Sequence, residues 1–268
     1  MPHGTPALYA SAVTDPLAPF RARPQASGVF LDFDGTLSEI VPVPSEARPA
    51  AGVPELLARL AEALAVVAVV SGRSAEQLLA WLGPSVEIWG VHGAQRTDGG
   101  RVALSARAEP YRSVMSQVFR EAREALPMEG VTVEDKAVVV TLHYRAAAAG
   151  EEARRAVAAT AERLADRHGL TVHEGRKSFE LRPPVELSKA TVVLDRAREA
   201  KLEAVMFVGD DTVDLPAFGA LDELAARGVA TLRVAVRSDE APEALLRRAD
   251  VVVEGPPGVV EYLEQLAP

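Results

Sequence analysis

Asp32 and Asp34 stand two residues apart, with Gly35 and Thr36 directly behind them. On an extended chain, residues i and i+2 point to the same side. Two carboxylates placed in this way can divide nucleophilic and acid–base work between them. Gly35 permits a tight turn that bares the following N–H groups to an anion. A second stretch, Ser71-Gly72-Arg73-Ser74, offers a hydroxyl near a helix start, where a phosphoryl oxygen can be held. A third, Ser188-Lys189, puts a lysine in a first helical turn, against the helix dipole. A fourth, Gly209-Asp210-Asp211-Thr212-Val213-Asp214, crowds three carboxylates into five residues. They repel one another unless a cation sits among them. Each stretch also has a plainer reading: a solvated acidic turn, a helix N-cap, a surface lysine, a capped acidic helix start.

The elements around these stretches place them. Val29 to Leu31 is a short continuous apolar run ended by aspartate and glycine, as expected of a buried parallel strand. Helical spacing follows over 54–64, a strand over 65–70, a helix over 74–82 behind Ser74, and a strand over 86–91. This alternation predicts a parallel sheet with helices on its faces, and the stretches fall where such sheets place their sites. The pattern changes near residue 95. Thr97-Asp98-Gly99-Gly100 signals a turn. A helix over 109–126, strands over 131–133 and 138–143, a helix over 151–168 and strands over 170–173 and 178–181 make an α+β module, with Glu134-Asp135-Lys136 and Glu174 to Lys177 as its turns. Alternation resumes with helices at 188–200, 216–227, 241–248 and 257–265 and strands at 204–209, 229–236 and 250–253. The organisation expected is a proline-rich tail over 1–27, a Rossmann-like doubly wound core from 28–97 and 185–268, and an inserted α+β cap over 98–184.

Composition narrows the function. The 268 residues are a quarter charged and about half hydrophobic, an ordinary globular balance. A net charge of −9 disfavours a nucleic-acid partner, yet leaves room for one small phosphorylated ligand in a local positive pocket. Cysteine is absent, so disulfides, thiol nucleophiles and iron–sulfur clusters are excluded. Asparagine is absent too, and with it any glycosylation sequon. The longest apolar run, 63–70, is far short of the roughly 20 residues of a membrane span, and the N-terminus does not read as a signal peptide. A cytoplasmic monomer with no membrane partner is the expectation.

Paired aspartate, then serine, then lysine, then clustered aspartate, each at a strand end or helix start, resembles the haloacid dehalogenase superfamily of phosphotransferases. The likeness narrows with Asp32-Phe-Asp-Gly-Thr-Leu-Ser-Glu-Ile, Ser71-Gly-Arg, Val91-His-Gly-Ala, Val133-Glu-Asp-Lys, His143-Tyr-Arg145 and Gly175-Arg-Lys-Ser-Phe-Glu180-Leu-Arg-Pro183. From about residue 28 to 265 these resemble the trehalose-6-phosphate phosphatase family, and the cap motifs carry most of that likeness.

The resemblance implies a Mg2+-dependent phosphatase working through an aspartyl phosphate. Asp32 is similar to its nucleophile and Asp34 to its general acid, while Ser71 and Lys189 resemble the groups that hold the transferring phosphoryl oxygens. Asp210 resembles the magnesium ligand beside Asp32 and the Asp34 backbone carbonyl, with Asp211 and Asp214 as supporting acids. For the sugar and its phosphate it suggests Gly35, Gly72, Arg73, His92, Gln95, His143, Arg145, Arg176 and Glu180. Five positions depart from the family pattern. Gln95 and Leu215 stand where glutamate is usual, Val213 where threonine is, Pro216 where aspartate is, and Ala190 where glycine is. Gln95, Leu215 and Pro216 are expected near the sugar pocket. Three functions follow: a trehalose 6-phosphate phosphatase, a phosphatase of the same mechanism for another disaccharide or sugar phosphate, or a regulatory binding protein that kept the fold. Rates on a panel of sugar phosphates separate the first two. The four intact core positions argue against the third.

Overall fold

Runs such as Val66-Val-Ala-Val-Val70 favour extended backbone, because branched side chains fit a pleat and crowd a helix. The computed structural model describes residues 15–41, 43–148, 150–175 and 177–268. A short helix, α1 (Ala18–Ala22), leads into β1 (Ser27–Leu31), followed by α2 (Val53–Ala63), β2 (Val66–Val70), α3 (Ala75–Leu82) and β3 (Glu87–Gly90). A hairpin of β4 (Gln95–Asp98) and β5 (Arg101–Leu104) comes next. Then come α4 (Arg112–Ala125), β6 (Thr132–Asp135), β7 (Val140–His143), α5 (Gly150–His168), β8 (Thr171–Gly175) and β9 (Ser178–Arg182). The last stretch holds α6 (Lys189–Glu199), β10 (Ala204–Gly209), α7 (Leu215–Ala226), β11 (Ala230–Arg237), α8 (Glu243–Leu246), β12 (Val251–Glu254) and α9 (Gly255–Glu264).

Eight strands form one sheet in the order β12-β11-β10-β1-β2-β3-β4-β5. The first six are parallel, and the β4–β5 hairpin closes one edge antiparallel. β1, β2 and β10 are buried along their whole length, as strands covered on both faces must be. One face packs Leu31 and Val69 with α2, α3 and α9; the other packs Phe30 and Phe207 with α6 and α7. This is a doubly wound Rossmann-like core. The chain runs from β1 to β3 on one side and from β10 to β12 on the other, so the order reverses between β1 and β10. Ligands bind at such reversals, beyond the strands' carboxyl ends.

A second sheet, β6-β7-β9-β8, is antiparallel. Val133, Leu142, Phe179 and Leu181 turn one face onto α4 and α5. Glu134, Thr141, Glu180 and His173 lie in one cross-strand row on the opposite, polar face.

Three expectations shift. Residues 98–104, expected in the insertion, stay on the large sheet through the pairs Asp98↔Arg101 and Gln95↔Leu104. Glu134 and Asp135, expected in a turn, are strand residues paired with Thr141 and Val140, and Glu174 and Gly175 likewise pair with Phe179 and Ser178. The strands outrun their apolar letters because one face of this sheet is polar. Of the expected tail, residues 1–14 lie outside the described residues, while 15–26 bring Leu17 and Phe20 into the core at 1 % exposure each. Among the described residues no helix is long and apolar enough to cross a membrane.

Truncating a fully buried aromatic removes its transfer energy and leaves a cavity. Phe20→Ala is expected to lower unfolding stability by about 3 kcal/mol in urea titrations. A change under about 0.5 kcal/mol, the size of a surface substitution, would mean that 15–26 lies loosely on the core.

Candidate active site

Parallel pairing brings three of the four stretches together. The Asp32 N–H donates to the Val208 carbonyl at 2.9 Å, so Asp32 emerges beside the end of β10, where Asp210 begins the next loop. Ser71 leaves β2, the neighbour on the other side. Lys189 arrives from the first turn of α6. Ser188 caps that helix: its hydroxyl accepts from the Thr191 N–H, while the Thr191 hydroxyl accepts from the Ser188 N–H, both at 3.2 Å. The lysine's quarrel with the helix dipole is answered there. Its Nζ lies 2.6 Å from Asp32 Oδ2 and 2.6 Å from Asp214 Oδ1.

Asp32 Oδ1 also accepts the Phe33 N–H at 2.7 Å. Asp214 uses its second oxygen on the N–H groups of Asp210 and Asp211, at 3.0 and 3.1 Å. It therefore orients the loop and the lysine. Asp210 Oδ1 accepts from the Thr36 hydroxyl at 3.2 Å. Gly35 has φ +75, and a Cβ there would stand 1.9 Å from Asp210 Oδ2, so only glycine lets the two loops meet. Asp211 is exposed and caps its own short turn through the Thr212 N–H and hydroxyl.

Asp32, Asp210 and Asp214 are buried, with one carboxylate oxygen from each lying within 4.8 Å of the others. Burial pushes the Asp32 carboxyl up to about 7, against the pull of Lys189. It pushes Asp210 up to about 8, and the charges of Asp32 and Asp214 add to the rise. Burial alone would lower the Lys189 ammonium, but its two carboxylate partners outweigh it and hold it charged. Three carboxylates against one ammonium leave negative charge that a cation would neutralise. Their oxygens suit a hard divalent ion such as Mg2+, with Asp32 and Asp210 better placed than the engaged Asp214.

Asp34 is engaged elsewhere. Arg73 grips its carboxylate with three contacts of 2.7 to 3.0 Å. Both line a cleft of about 810 Å3 with Gly72, Glu76, Gln77 and Gln95 on the core side, and with Glu134 to Ala137 across from them on the small sheet. A smaller cavity of about 320 Å3 joins Asp32, Asp34, Ser71, Gly72, His92, Lys189 and Asp210. Val213, 51 % exposed, stands at its rim.

The remaining expected residues divide. Gln95 lines the cleft, but its side-chain oxygen accepts the Ala75 N–H at 2.8 Å, capping the start of α3. Leu215 and Pro216 lie in the first turn of α7, outside the linings of both cavities, because helix start and acidic loop part ways after Asp214. Glu180 is gripped by Arg182 and lies 3.9 Å from Lys136; burial opposes but Arg182 wins, holding Glu180 below the usual carboxylate range. His143 pairs with Glu134 at 2.9 Å. Arg145 is exposed and lines neither cavity. Arg176 lies outside the described residues. The sequence reading names none of Glu76, Gln77, Glu134 and Lys136 as a site residue, although the last two fall in Val133-Glu-Asp-Lys, one of the cap motifs that carry the family likeness.

The chain is similar to known proteins over most of its length. A family model described as trehalose-phosphatase matches residues 30–251. The trehalose-phosphate phosphatase of Mycobacterium leprae is 34 % identical over 97 % of this chain and 61 % of its own length. That of Mycobacterium tuberculosis is 36 % identical over 89 % of this chain and likewise 61 % of its own. The chain thus spans about three fifths of these curated relatives. Among solved structures, an Aspergillus fumigatus trehalose-6-phosphate phosphatase is 25 % identical with a TM-score of 0.62, covering 98 % of this chain and 99 % of that one. A haloacid dehalogenase-like hydrolase from Bacteroides thetaiotaomicron, 16 % identical with a TM-score of 0.62 over 90 % of this chain and 100 % of that one, shows the shared fold.

The raised carboxyls carry a pH signature. Their folded pKa values, about 7 and 8, exceed the ordinary 3.8, so across that window the cation-free folded protein holds more protons than the unfolded chain. Their contribution to stability is present below the ordinary value and is lost as pH rises. A cation bound there would replace those protons. Saturating Mg2+ is therefore expected to raise Tm more at about pH 8 than at about pH 5, and Asp210→Asn to shrink the increment. Equal increments at both pH values, or an unchanged one in Asp210→Asn, would place the ion elsewhere.

Proposed function

The chain belongs to the trehalose-phosphatase family, and on that premise we propose that it hydrolyses trehalose 6-phosphate to trehalose and inorganic phosphate. One observation carries the reading. A buried carboxylate–lysine pair lines a cavity that shares Asp34 and Gly72 with a cleft of about 810 Å3, and the first hairpin of the small sheet brings Glu134 and Lys136 to that cleft. A phosphate fits the first and a polyhydroxylated sugar the second.

Asp32 supplies the nucleophilic oxygen. Its attack on phosphorus forms an acyl-phosphate bond and breaks the bond from phosphorus to the sugar oxygen. Asp34, released from Arg73 and protonated from solvent before the attack, gives that oxygen its proton. Water then attacks the phosphoryl group, gives its proton to Asp34, and restores Asp32 with release of phosphate. An ammonium has three N–H donors, and Asp32 and Asp214 engage Lys189 twice; the third donor is left for a phosphoryl oxygen. The Ser71 hydroxyl, which accepts the Arg73 N–H at 3.2 Å, keeps its own proton to donate to another. Mg2+, held by Asp32 and Asp210, would offset the charge of nucleophile and phosphate as they meet. In this reading the small sheet with α4 and α5 is a cap, and Glu134, Lys136 and Glu180 hold sugar hydroxyls. A charged sugar phosphate does not cross a bilayer unaided, which suits a cytoplasmic enzyme.

A second reading keeps the chemistry and changes the sugar. Gln95 lines the cleft and is neutral where the resembled family carries glutamate, which favours a related disaccharide phosphate over trehalose 6-phosphate.

The test is phosphate release from trehalose 6-phosphate, with Mg2+ and with EDTA, beside glucose 6-phosphate and a second disaccharide phosphate. Metal-dependent release is expected, fastest from trehalose 6-phosphate; a faster rate on the other disaccharide selects the second reading, and none from any sugar phosphate rejects both. Asp32→Asn should cut turnover at least about a thousandfold, because the amide has no nucleophilic charge. Retained steady-state turnover would remove Asp32 from the role. Lys136→Ala should raise KM for the sugar phosphate about tenfold, the size of one charged hydrogen bond, with kcat less affected. An unchanged KM would take the sugar off that wall.

A further inference from the structure

Trp81 stands in the last turn of α3, half-buried, with more around its ring than apolar packing requires. It stacks on Phe33, with 5.3 Å between centroids and 26° between planes. Phe33 is fully buried and separates Asp32 from Asp34 in the chain. Two guanidinium groups lie over the indole, that of Arg73 at 5.2 Å from its centroid and that of Arg48 at 5.4 Å. Arg73 lies over Phe33 as well, at 5.6 Å. Helical spacing brings this about. Gln77 and Trp81 are four residues apart and share a face of α3, and Arg73 stands just ahead of Ser74, which caps that helix. The Arg73 guanidinium meets Gln77 at 3.3 Å. Indole offers a cation the best face of any side chain. Leu78 and Leu82 of the same helix show that plain apolar bulk serves where only the core has to be filled.

The stack bears on the acid. Three contacts of 2.7 to 3.0 Å tie Arg73 to Asp34, and in the reaction proposed above Asp34 parts from it. An arginine stem has several rotatable bonds, so an unsupported guanidinium can follow a departing carboxylate and stay paired with it. An Asp34 still paired in this way cannot serve the leaving oxygen. Phe33 is a poor anchor against such pursuit, because it is the chain neighbour of Asp34. Trp81 belongs to a separate element, so it holds the guanidinium independently of the acid.

We propose that Trp81 is a positioning residue for the proton donor: through its face it keeps Arg73 in place while Asp34 moves to the leaving oxygen. The proposal rests on the reading of Asp34 as the general acid.

Trp81→Leu keeps apolar bulk without a π-face, and Trp81→Phe keeps a smaller π-face. Each is to be assayed on the sugar phosphate that the wild type hydrolyses fastest, per folded molecule, in the wild-type chain and in an Arg73→Ala background. Trp81→Leu is expected to lower kcat about tenfold, the size of a desolvated cation–π contact, with KM within about twofold, and Trp81→Phe to recover most of the loss. In Arg73→Ala the same Trp81→Leu change is expected to cost nothing further, because the residue through which it acts is gone. Where Arg73→Ala is too slow to assay, Arg73→Lys, a cation without the planar fork, takes its place, and the loss is expected to shrink there. Equal losses in both backgrounds would make the indole a structural filler. A Trp81→Phe as impaired as Trp81→Leu, an effect on KM alone, or an unchanged kcat would likewise overturn the proposal, while the wild type's activity leaves the sugar-phosphate reading standing. A wild type inactive on every sugar phosphate would overturn both.

Discussion

Lys189 lies between Asp32 and Asp214, 2.6 Å from each, at 3 % side-chain exposure. Taking an ion out of water costs several kcal/mol even after relaxation, and removing one partner of such a group leaves an uncompensated buried charge. The arrangement therefore holds only if residues from three distant parts of the chain meet to within hydrogen-bond distance. Much of the fold serves that meeting. β1 and β10 run parallel in register, so their ends deliver Asp32 and Asp210 side by side. Ser188 and Thr191 cap α6 reciprocally, so the lysine's helix starts where it must. Asp214 spends its second oxygen on the backbone of the loop that carries Asp210, fixing that loop to the same ammonium.

The charge count then explains what the site lacks on its own. Adding Asp210 to the two carboxylates that hold Lys189 overfills the pocket with negative charge. Protonation can relieve that excess, and the raised carboxyls reflect it. A divalent cation would relieve it too, and would do so while leaving Asp32 ionised. Buried acids that repel one another are poor for stability and good for binding such an ion.

The sequence revealed the chemistry more fully than the pocket. Apolar runs ending in aspartate or serine marked the strand ends of the core, because strands covered on both faces are apolar throughout and any polar residue at their exit stands out. The small sheet follows the opposite rule. Its polar face makes Glu134 look like a turn residue, although it lies on β6 opposite Thr141. The hairpin through Asp98 and Arg101 reads in sequence as part of the insertion because its turn signal is local, while its pairing with β3 is not. Gln95 shows a further limit. Its type and place suggested a sugar contact, yet its oxygen is already committed to the Ala75 N–H, and nothing in the letters reports such a commitment.

Arg73 shows how the two parts of the site are joined. Its N–H reaches the Ser71 hydroxyl at 3.2 Å, its carbonyl receives the Val91 N–H at 2.8 Å, and its guanidinium holds Asp34. The guanidinium also lies over the rings of Phe33 and Trp81, 5.6 and 5.2 Å from their centroids, and meets Gln77 at 3.3 Å. Stacked and forked in this way, it has little freedom to follow a moving partner. Asp34, with its side chain 43 % exposed against 11 % for Arg73, is the less enclosed member of the pair. The same residue thus ties together the Ser71 hydroxyl, the loop that carries His92, and the Asp34 carboxylate. A substrate that draws Asp34 away from it must supply contacts that outweigh a bidentate ion pair, and the cleft wall carrying Glu134 and Lys136 is where a sugar can make them.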